Sequence, residues 1–515
     1  MLPETVRHFI GGRYVYSTLR KSYGVTDPAT GKEYAQVEVG LGADVNQAVL
    51  AARTALETGQ WPGMTAPDRA RVLSGIADAI DARAGDIAAA EALGPGLPVT
   101  QAREQAARAG EFFRLVASLI AARTADGESF APGQSGYVLA HPAGVAGLIT
   151  PWRTPFLAQA RAVAPALAAG CTIVLKPDEW APLPAALLAE ITTAAGLPDG
   201  VLNVVHGSLH RKAPGAQARD ALIAHPSVAR LSFAGQADSR HQVTLDAAAH
   251  GKNLSAEAAG GSPCLIFADA DLDEAIDGAL FGAFALNGQR RTATSTILVE
   301  RPAYATVVGL LAERADRVRV GAPADPATEL GPLPHAEAYD RLASLVRLGI
   351  REGARLAAGG RRPARLPEGS YLAATVLADV TPSMRIFTEQ VSGPVVRVTP
   401  FDTDEEAASL ANAGAQPAAA YIWTRDPRRA RSLAPAIESA GIWVNSANPR
   451  DLLAPVAGRG ASAAAGPLDF DFYTRSQTVL EAAGDDAPVP RLGARAARPV
   501  RGRDPSGMPD ERNRR

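Results

Sequence analysis

Residues 145–177, VAGLITPWRTPFLAQARAVAPALAAGCTIVLKP, decide the fold. The apolar run VAGLIT (145–150) is too short for a helix, and an Ala-rich helical stretch separates it from a second short run, TIVLKP (172–177). That alternation predicts parallel strands joined by a crossover helix. Outward from this unit the rhythm repeats in VLNVV (201–205), VARLSF (228–233) and CLIF (264–267). A further series, STILVE (295–300), PVVRVTPF (394–401), AAYIWT (419–424) and GIWVN (441–445), predicts a second α/β domain from about residue 258.

Toward the N-terminus, residues 42–122 read as helical. Val72, Leu73, Ile76, Ile80 and Ile87 recur at helical spacing, Gly94-Pro95-Gly96 breaks the run, and a following helix carries Phe112, Phe113, Leu115 and Leu119. Beyond Leu480 apolar periodicity ceases, so residues 484–515 are expected to form a disordered tail. The glycines of 458–466 suit a flexible loop. With 515 residues, 47% of them hydrophobic and 21% charged, the chain is long enough for several buried cores.

A net charge of −2 gives no field for nucleic acid or an anionic membrane. Two cysteines, Cys171 and Cys264, leave no disulfide framework and no Cys-based metal cluster, so no metal is expected. No apolar segment long enough to cross a bilayer and no signal-peptide pattern are present, and a cytoplasmic protein is expected. Only five of the 52 cationic residues are Lys, which gives an isolated Lys inside a motif some weight.

Bare searches for a GxxxxGK[ST] phosphate loop, a GxGxxG turn after a strand and a GxSxG elbow all fail. The order of other motifs, however, resembles the aldehyde dehydrogenase superfamily over about residues 5–482. The resemblance rests on ITPWRTPF (149–156), VLKPDE (174–179), LSFAG (231–235), EAAGGSP (257–263), NGQ (287–289), EQVSGPVV (389–396) and YTRSQTV (473–479), in the family's sequence order. It implies an α/β fold with a Rossmann-type cofactor domain (1–127 and 143–257) and an α/β catalytic-type domain (258–448). It also implies a small β oligomerisation flap (128–142 and 468–482).

Active members of that family bind NAD(P), attack an aldehyde with a cysteine thiolate, pass hydride to the nicotinamide and release the acid with a glutamate-activated water. Carried onto this chain, the GQxC motif reads Gly288-Gln289-Arg290-Arg291, which places Arg291 at the nucleophile. A guanidinium stays protonated and cannot attack a carbonyl. The Asn that stabilises the oxyanion is replaced by Arg153. The general base is retained as Glu257, and the three side chains are expected to converge, the carboxylate pairing with one or both guanidiniums. Neither Cys171 nor Cys264 matches the nucleophile; both read as buried small hydrophobes.

On the cofactor side, Lys176 and Glu179 fit the family's KPxE motif, which binds the adenine-side ribose and favours NAD. The FTGSxxxG turn retains Gly235 but continues with Gln236 and ends in Arg240. In EExFGP the ribose-gripping carboxylate has become Gln390 and the Phe has become Ser392. NAD binding is therefore expected to be weakened or absent, most of all at the nicotinamide end. Pro151, Trp152, Gly207, Gly393, Pro394 and Asn445, which do architectural work in the family, are kept.

These readings favour a catalytically impaired homologue acting as a structural or regulatory subunit, in a homo-oligomer or with an active paralogue. Two alternatives stay open. One is an active NAD-dependent oxidoreductase using Thr292 or Ser295 as nucleophile, and the other is a nucleotide- or anion-binding module without turnover.

Overall fold

The structure is a computed structural model describing residues 4–122, 127–128, 134–207, 216–258, 260–413, 418–447 and 469–482. The tail at 484–515 and the loop at 458–466 lie outside the described residues. The chain divides into two compact units, residues 1–123 with 140–475, and residues 124–139 with 476–515.

The stretch 145–177 folds as its pattern requires. Val145–Ile149 and Thr172–Lys176 are adjacent parallel strands, fully buried, and the helix Pro155–Ala168 crosses between them. Around them a seven-stranded sheet runs in the order Asn253–Ala258, Val228–Gly235, Val145–Ile149, Thr172–Lys176, Leu202–Val204, His8–Ile10, Arg13–Val15. The first five strands are mutually parallel, and the last two form an antiparallel hairpin along the far edge. The chain order runs outward in both directions from Val145–Ile149, so the sheet has a switch point beside that strand. Ligands in such sheets bind at the carboxyl ends of strands flanking the switch point.

One sequence expectation changes here. The run CLIF (264–267), read with the first series, belongs to the strand Ser262–Ile266 in the second sheet. The strand that completes the first sheet is Asn253–Ala258, whose sequence NLSAEA is half polar and carries no apolar run. The second sheet runs Arg355–Ala358, Thr375–Ala378, Val395–Phe401, Thr294–Glu300, Ser262–Ile266, Ala420–Trp423, Ile442–Val444, all parallel except the first pair.

Helices Gly42–Thr58, Ala66–Ala82, Ala84–Leu93 and Val99–Ala121 occupy the segment read as helical. Leu73, Ile76, Ile80, Ile87, Phe112 and Phe113 are buried in one core with Phe156, Val163 and Leu167 of the crossover helix. Burying each such side chain contributes about 1.5–3 kcal/mol, which holds the crossover helix in place. A separate three-stranded sheet sets Gln134–Pro142 between Gly127–Glu128 and Thr474–Ala482. Among the described residues no helix is long and apolar enough to cross a membrane.

The start of the crossover helix has an unusual anchor. Thr154, its N-cap, lies at φ 39, a left-handed conformation costly for a β-branched residue, and Pro155 at the first position has no N–H. The first free amide, Phe156 N, donates to Glu91 Oε1 at 2.9 Å. Glu91 is fully buried, and burial pushes its carboxyl up from the ordinary 4.5 to about 8. The folded protein thus keeps this proton where the unfolded chain has lost it. Its contribution to stability is full below about 4.5 and is lost as pH rises through about 8. Replacing Glu91 by Gln keeps an acceptor for Phe156 and removes the titration. The thermal unfolding midpoint of the variant is expected to fall less than that of the parent across this window, and parallel curves would refute the assignment.

Candidate active site

The carboxyl ends of the first sheet deliver most of the residues singled out in the sequence. Arg153 follows Val145–Ile149, Lys176 ends its strand with Glu179 just beyond, Gly235 ends Val228–Gly235 and is followed by Gln236, and Glu257 lies near the end of the edge strand. The second sheet approaches with its opposite ends. Arg291 precedes Thr294–Glu300, and Gln390 with Ser392 precedes Val395–Phe401.

Arg153, Lys176, Glu179, Gly235 and Gln236 line a cleft of about 980 Å³. Burial pushes the Lys176 ammonium below its usual range, opposed by Asp178 and Glu179, and pushes the Asp178 carboxyl up, opposed by Lys176. The helix Ala237–Ala249 opens at this cleft with Gln236 as its N-cap, and no side chain caps its first amides. Those amides and the Lys176–Glu179 pair fit the adenosine and phosphate half of a dinucleotide. A neighbouring cavity of about 710 Å³ is lined by Gln390, Ser392, Arg341 and His335, and shares Trp152 and Gln236 with the cleft. Trp180 stacks on His335 at 4.3 Å between ring centroids.

The third cavity, about 780 Å³, brings Arg153, Glu257, Arg291 and Gly235 together. Its loop is built from strained backbone. Leu286, Asn287 and Gly288 lie at φ 55, 59 and 64, three left-handed residues in succession. Asn287 holds the turn by donating from Nδ2 to the carbonyls of Gly96 (2.9 Å) and Pro332 (3.0 Å) and accepting from Gly331 N (2.7 Å). A side chain on Gly288 would collide with the Gly393 carbonyl oxygen at 2.4 Å.

The two arginines that follow part company. Arg290 turns inward over the Phe281 ring and donates to the Gly282 carbonyl at 3.3 Å. Arg291 faces the cavity, its Nε 3.8 Å from Glu257 Oε2. Arg153 reaches the other way, donating from Nη2 to Ser392 Oγ at 2.8 Å with its guanidinium over the Trp152 ring. Burial, with Arg341 acting in the same direction, lowers its pKa to about 10, so it remains a cation at neutral pH.

The aldehyde dehydrogenase family profile matches residues 14–479. The chain belongs to the aldehyde dehydrogenase family. It is 40% identical over 458 residues to the 5-carboxymethyl-2-hydroxymuconate semialdehyde dehydrogenase of Escherichia coli, covering 87% of this chain and 94% of that protein. It is 35% identical to the 2-hydroxymuconic semialdehyde dehydrogenase of a Pseudomonas species, covering 92% and 99%. Among solved structures it superimposes on HpcC of Thermus thermophilus with a TM-score of 0.90 at 39% identity, covering 95% of each chain. It also matches the betaine aldehyde dehydrogenase of Staphylococcus aureus in complex with NAD+, with a TM-score of 0.90 at 30% identity, covering 96% of this chain and 97% of that one.

Within this aldehyde dehydrogenase fold the cavity has no thiol. Cys171 is buried, its Sγ donating to the Tyr473 carbonyl at 3.2 Å, and Cys264 is buried on the strand Ser262–Ile266. Burial pushes the two thiols up to about 11 and about 12. Among the described residues no group of three or more His, Cys, Asp or Glu side chains is placed to hold a metal ion.

Three contributors were not singled out in the sequence. Arg161 lines the Glu257 cavity from the crossover helix, Asp178 lies beside Lys176, and Arg341 donates to the Gln390 carbonyl at 3.4 Å. Arg161 stands on the same helical face as Leu157 and Ala158, and a cation at that spacing resembles a solvated position. Neither cysteine is expected to react with a thiol-specific aromatic disulfide in the native protein at pH 8, and both should react after denaturation. A rapidly labelled native thiol would contradict these positions.

Proposed function

We propose that this chain is a catalytically impaired aldehyde dehydrogenase homologue that keeps the family's binding site and serves as a structural or regulatory subunit. Its oligomer would contain further copies of itself or an active paralogue, joined through the strands at 128–142 and 468–482. The observation that carries the reading is the ion pair of Arg291 with Glu257 where covalent attack on a carbonyl would begin. A guanidinium has no available lone pair, and here it stands against the carboxylate that the family uses toward a water.

The reading includes a dinucleotide, held chiefly by its adenosine half. Lys176 and Glu179 would hold the ribose hydroxyls, and the carboxylate of Glu179 would disfavour a 2′-phosphate. When bound, NAD would supply a hydride acceptor. Gln390 can accept a hydrogen bond from a ribose hydroxyl, but without the charge assistance that makes such bonds about twice as strong. Arg153, bonded to Ser392, stands between the Glu257 cavity and the region beside Gln390. Weaker NAD binding than in thiol-bearing relatives follows. A cytoplasmic location, with no metal, nucleic acid or membrane partner, belongs to the same proposal.

A second reading, turnover of aldehydes by this chain, is favoured by its relatives, which are named as dehydrogenases of muconic semialdehydes. It needs a nucleophile other than cysteine. Ser295 is buried on Thr294–Glu300, its Oγ accepting from Arg397 Nη2 at 3.4 Å, and neither it nor Thr292 lines the cavity that holds Glu257.

The purified chain is expected to form no NADH from short, long or carboxylated aldehydes, to bind NAD in calorimetry, and to run as an oligomer in light scattering. NADH formation that disappears in Glu257→Gln would establish the second reading instead. The double variant Arg291→Cys with Arg153→Asn is expected to gain one thiol that labels in the native state.

A further inference from the structure

We infer that the hairpin closing the far edge of the first sheet is a docking surface for an extended acidic segment of another protein. None of its residues lines the three cavities described above, so the inference goes beyond the functional reading.

Charge marks the place. The stretch RHFIGGRYVYSTLRK (7–21) holds four cations, Arg7, Arg13, Arg20 and Lys21, and no Asp or Glu. Among the described residues none of the four forms an ion pair. The carboxylates near the stretch are committed elsewhere. Glu38 accepts from Ser17 N at 2.8 Å, and Asp44 accepts from Thr18 N at 2.8 Å. Glu190 accepts from the Tyr14 hydroxyl at 3.3 Å while pairing with Arg83. Asp199 stands beside Gly12, at the turn of the hairpin.

Register explains how the arginines are held. His8–Ile10 pairs with Arg13–Val15 so that Phe9 lies opposite Tyr14. Side chains alternate between faces, so Arg7 shares a face with Phe9, and Tyr14 and Tyr16 share it from the opposing strand. The Arg7 guanidinium lies 5.5 Å from the Tyr14 ring centroid and 5.4 Å from that of Tyr16. Arg20 lies over the Tyr16 ring at 4.5 Å. A guanidinium over a ring is held by the ring's electrons and spends no N–H donor on an acceptor. Arg7 and Arg20 are therefore positioned with their donor forks available, and a carboxylate meets them with less loss of side-chain freedom. Tyr16 at 48% and Leu19 at 53% exposure keep the surface open and give it apolar contact area.

Backbone decides the form of the partner. Arg13–Val15 is the last strand of its sheet and, among the described residues, pairs only with His8–Ile10. Its outer edge offers N–H and C=O groups to an extended chain. Single-stranded nucleic acid fits less well, because its bases would compete with Arg7 and Arg20 for the two rings, and a net charge of −2 supplies no field for a polyanion. A second copy of the same hairpin is opposed by like charge.

The test is fluorescence anisotropy on the full chain with fluorescein-labelled decaglutamate, compared with a Gly-Ser decapeptide and a thymidine decanucleotide carrying the same label. Decaglutamate is expected to bind at least tenfold more tightly than either comparator, with affinity falling as salt rises. Arg7→Gln and Arg20→Gln, each checked for the parent's circular dichroism and unfolding midpoint, should each weaken it at least fivefold. Tyr16→Leu keeps apolar area but releases both guanidiniums, and should weaken it at least threefold. Arg351→Gln removes an exposed cation from the helix Ala336–Arg351 and should leave it unchanged. Absence of decaglutamate binding, tighter binding of the oligonucleotide, binding unchanged in folded Arg7→Gln and Arg20→Gln, or an equal loss in Arg351→Gln would overturn the proposal. Because no aldehyde or NAD enters the assay, its outcome is read independently of the active-site reading.

Discussion

The turn Leu286-Asn287-Gly288 is the constraint on which the site depends. Three successive left-handed residues are unfavourable, and the Leu286 backbone offsets part of this by donating from N to Gln101 Oε1 at 2.5 Å and accepting from Gln289 N at 3.0 Å. Asn287 offsets the strain with three hydrogen bonds to Gly96, Pro332 and Gly331, segments far apart in the chain. Gly288 is restricted to glycine by the nearness of the Gly393 carbonyl. Together they fix the direction in which residue 291 leaves the loop. What the turn presents to the cavity is a cation.

The two sheets meet this loop in complementary ways. The first offers the carboxyl ends of its strands around a switch point, where Lys176, Gly235 and Glu257 stand. The second supplies the segments leading into Thr294–Glu300 and Val395–Phe401. Arg397, buried on the latter strand, donates from Nε to Thr296 Oγ1 at 2.9 Å and from Nη1 to the Glu389 carbonyl at 3.0 Å. That guanidinium holds the segment before Gln390 against the sheet. Asn445 performs a similar task at the next edge, exchanging hydrogen bonds with the backbone of Thr424 at 3.1 and 2.9 Å. Residues that maintain backbone geometry, Asn287, Arg397 and Asn445, are thus separate from Arg153, Arg291, Gln390 and Ser392, which line the cavities.

Much of this was legible in the sequence for a physical reason. Parallel strands buried on both faces must be apolar throughout, so Val145–Ile149 and Thr172–Lys176 announce themselves. Asn253–Ala258 does not, because it is an edge strand in which polar residues alternate with Leu254, Ala256 and Ala258, leaving no continuous apolar run. The short strands Thr5–Val6 and Ser22–Thr26, which pair with Glu33–Glu38, gave no signal for the same reason. Motif order brought Arg153, Glu257 and Arg291 to one cavity because each belongs to a segment with a family counterpart. It could not indicate that Arg153 would turn to Ser392, since that contact joins residues 239 positions apart in the chain. Arg161 was hidden by its surroundings: helical spacing says which residues share a face, and only tertiary packing says whether that face meets water or a cavity.

The two arginines also differ in what they do to the site. Arg153 bridges from the carboxyl end of the first sheet to the loop before Val395–Phe401, and so occupies the boundary between the Glu257 cavity and the Gln390 region. Arg291 stays within the cavity and compensates part of its charge through Glu257 at 3.8 Å, a separation too long for a strong hydrogen bond. A tight Arg–carboxylate pair would have satisfied both groups and closed the site. The looser arrangement keeps Arg291 Nη1 buried without a hydrogen-bond partner.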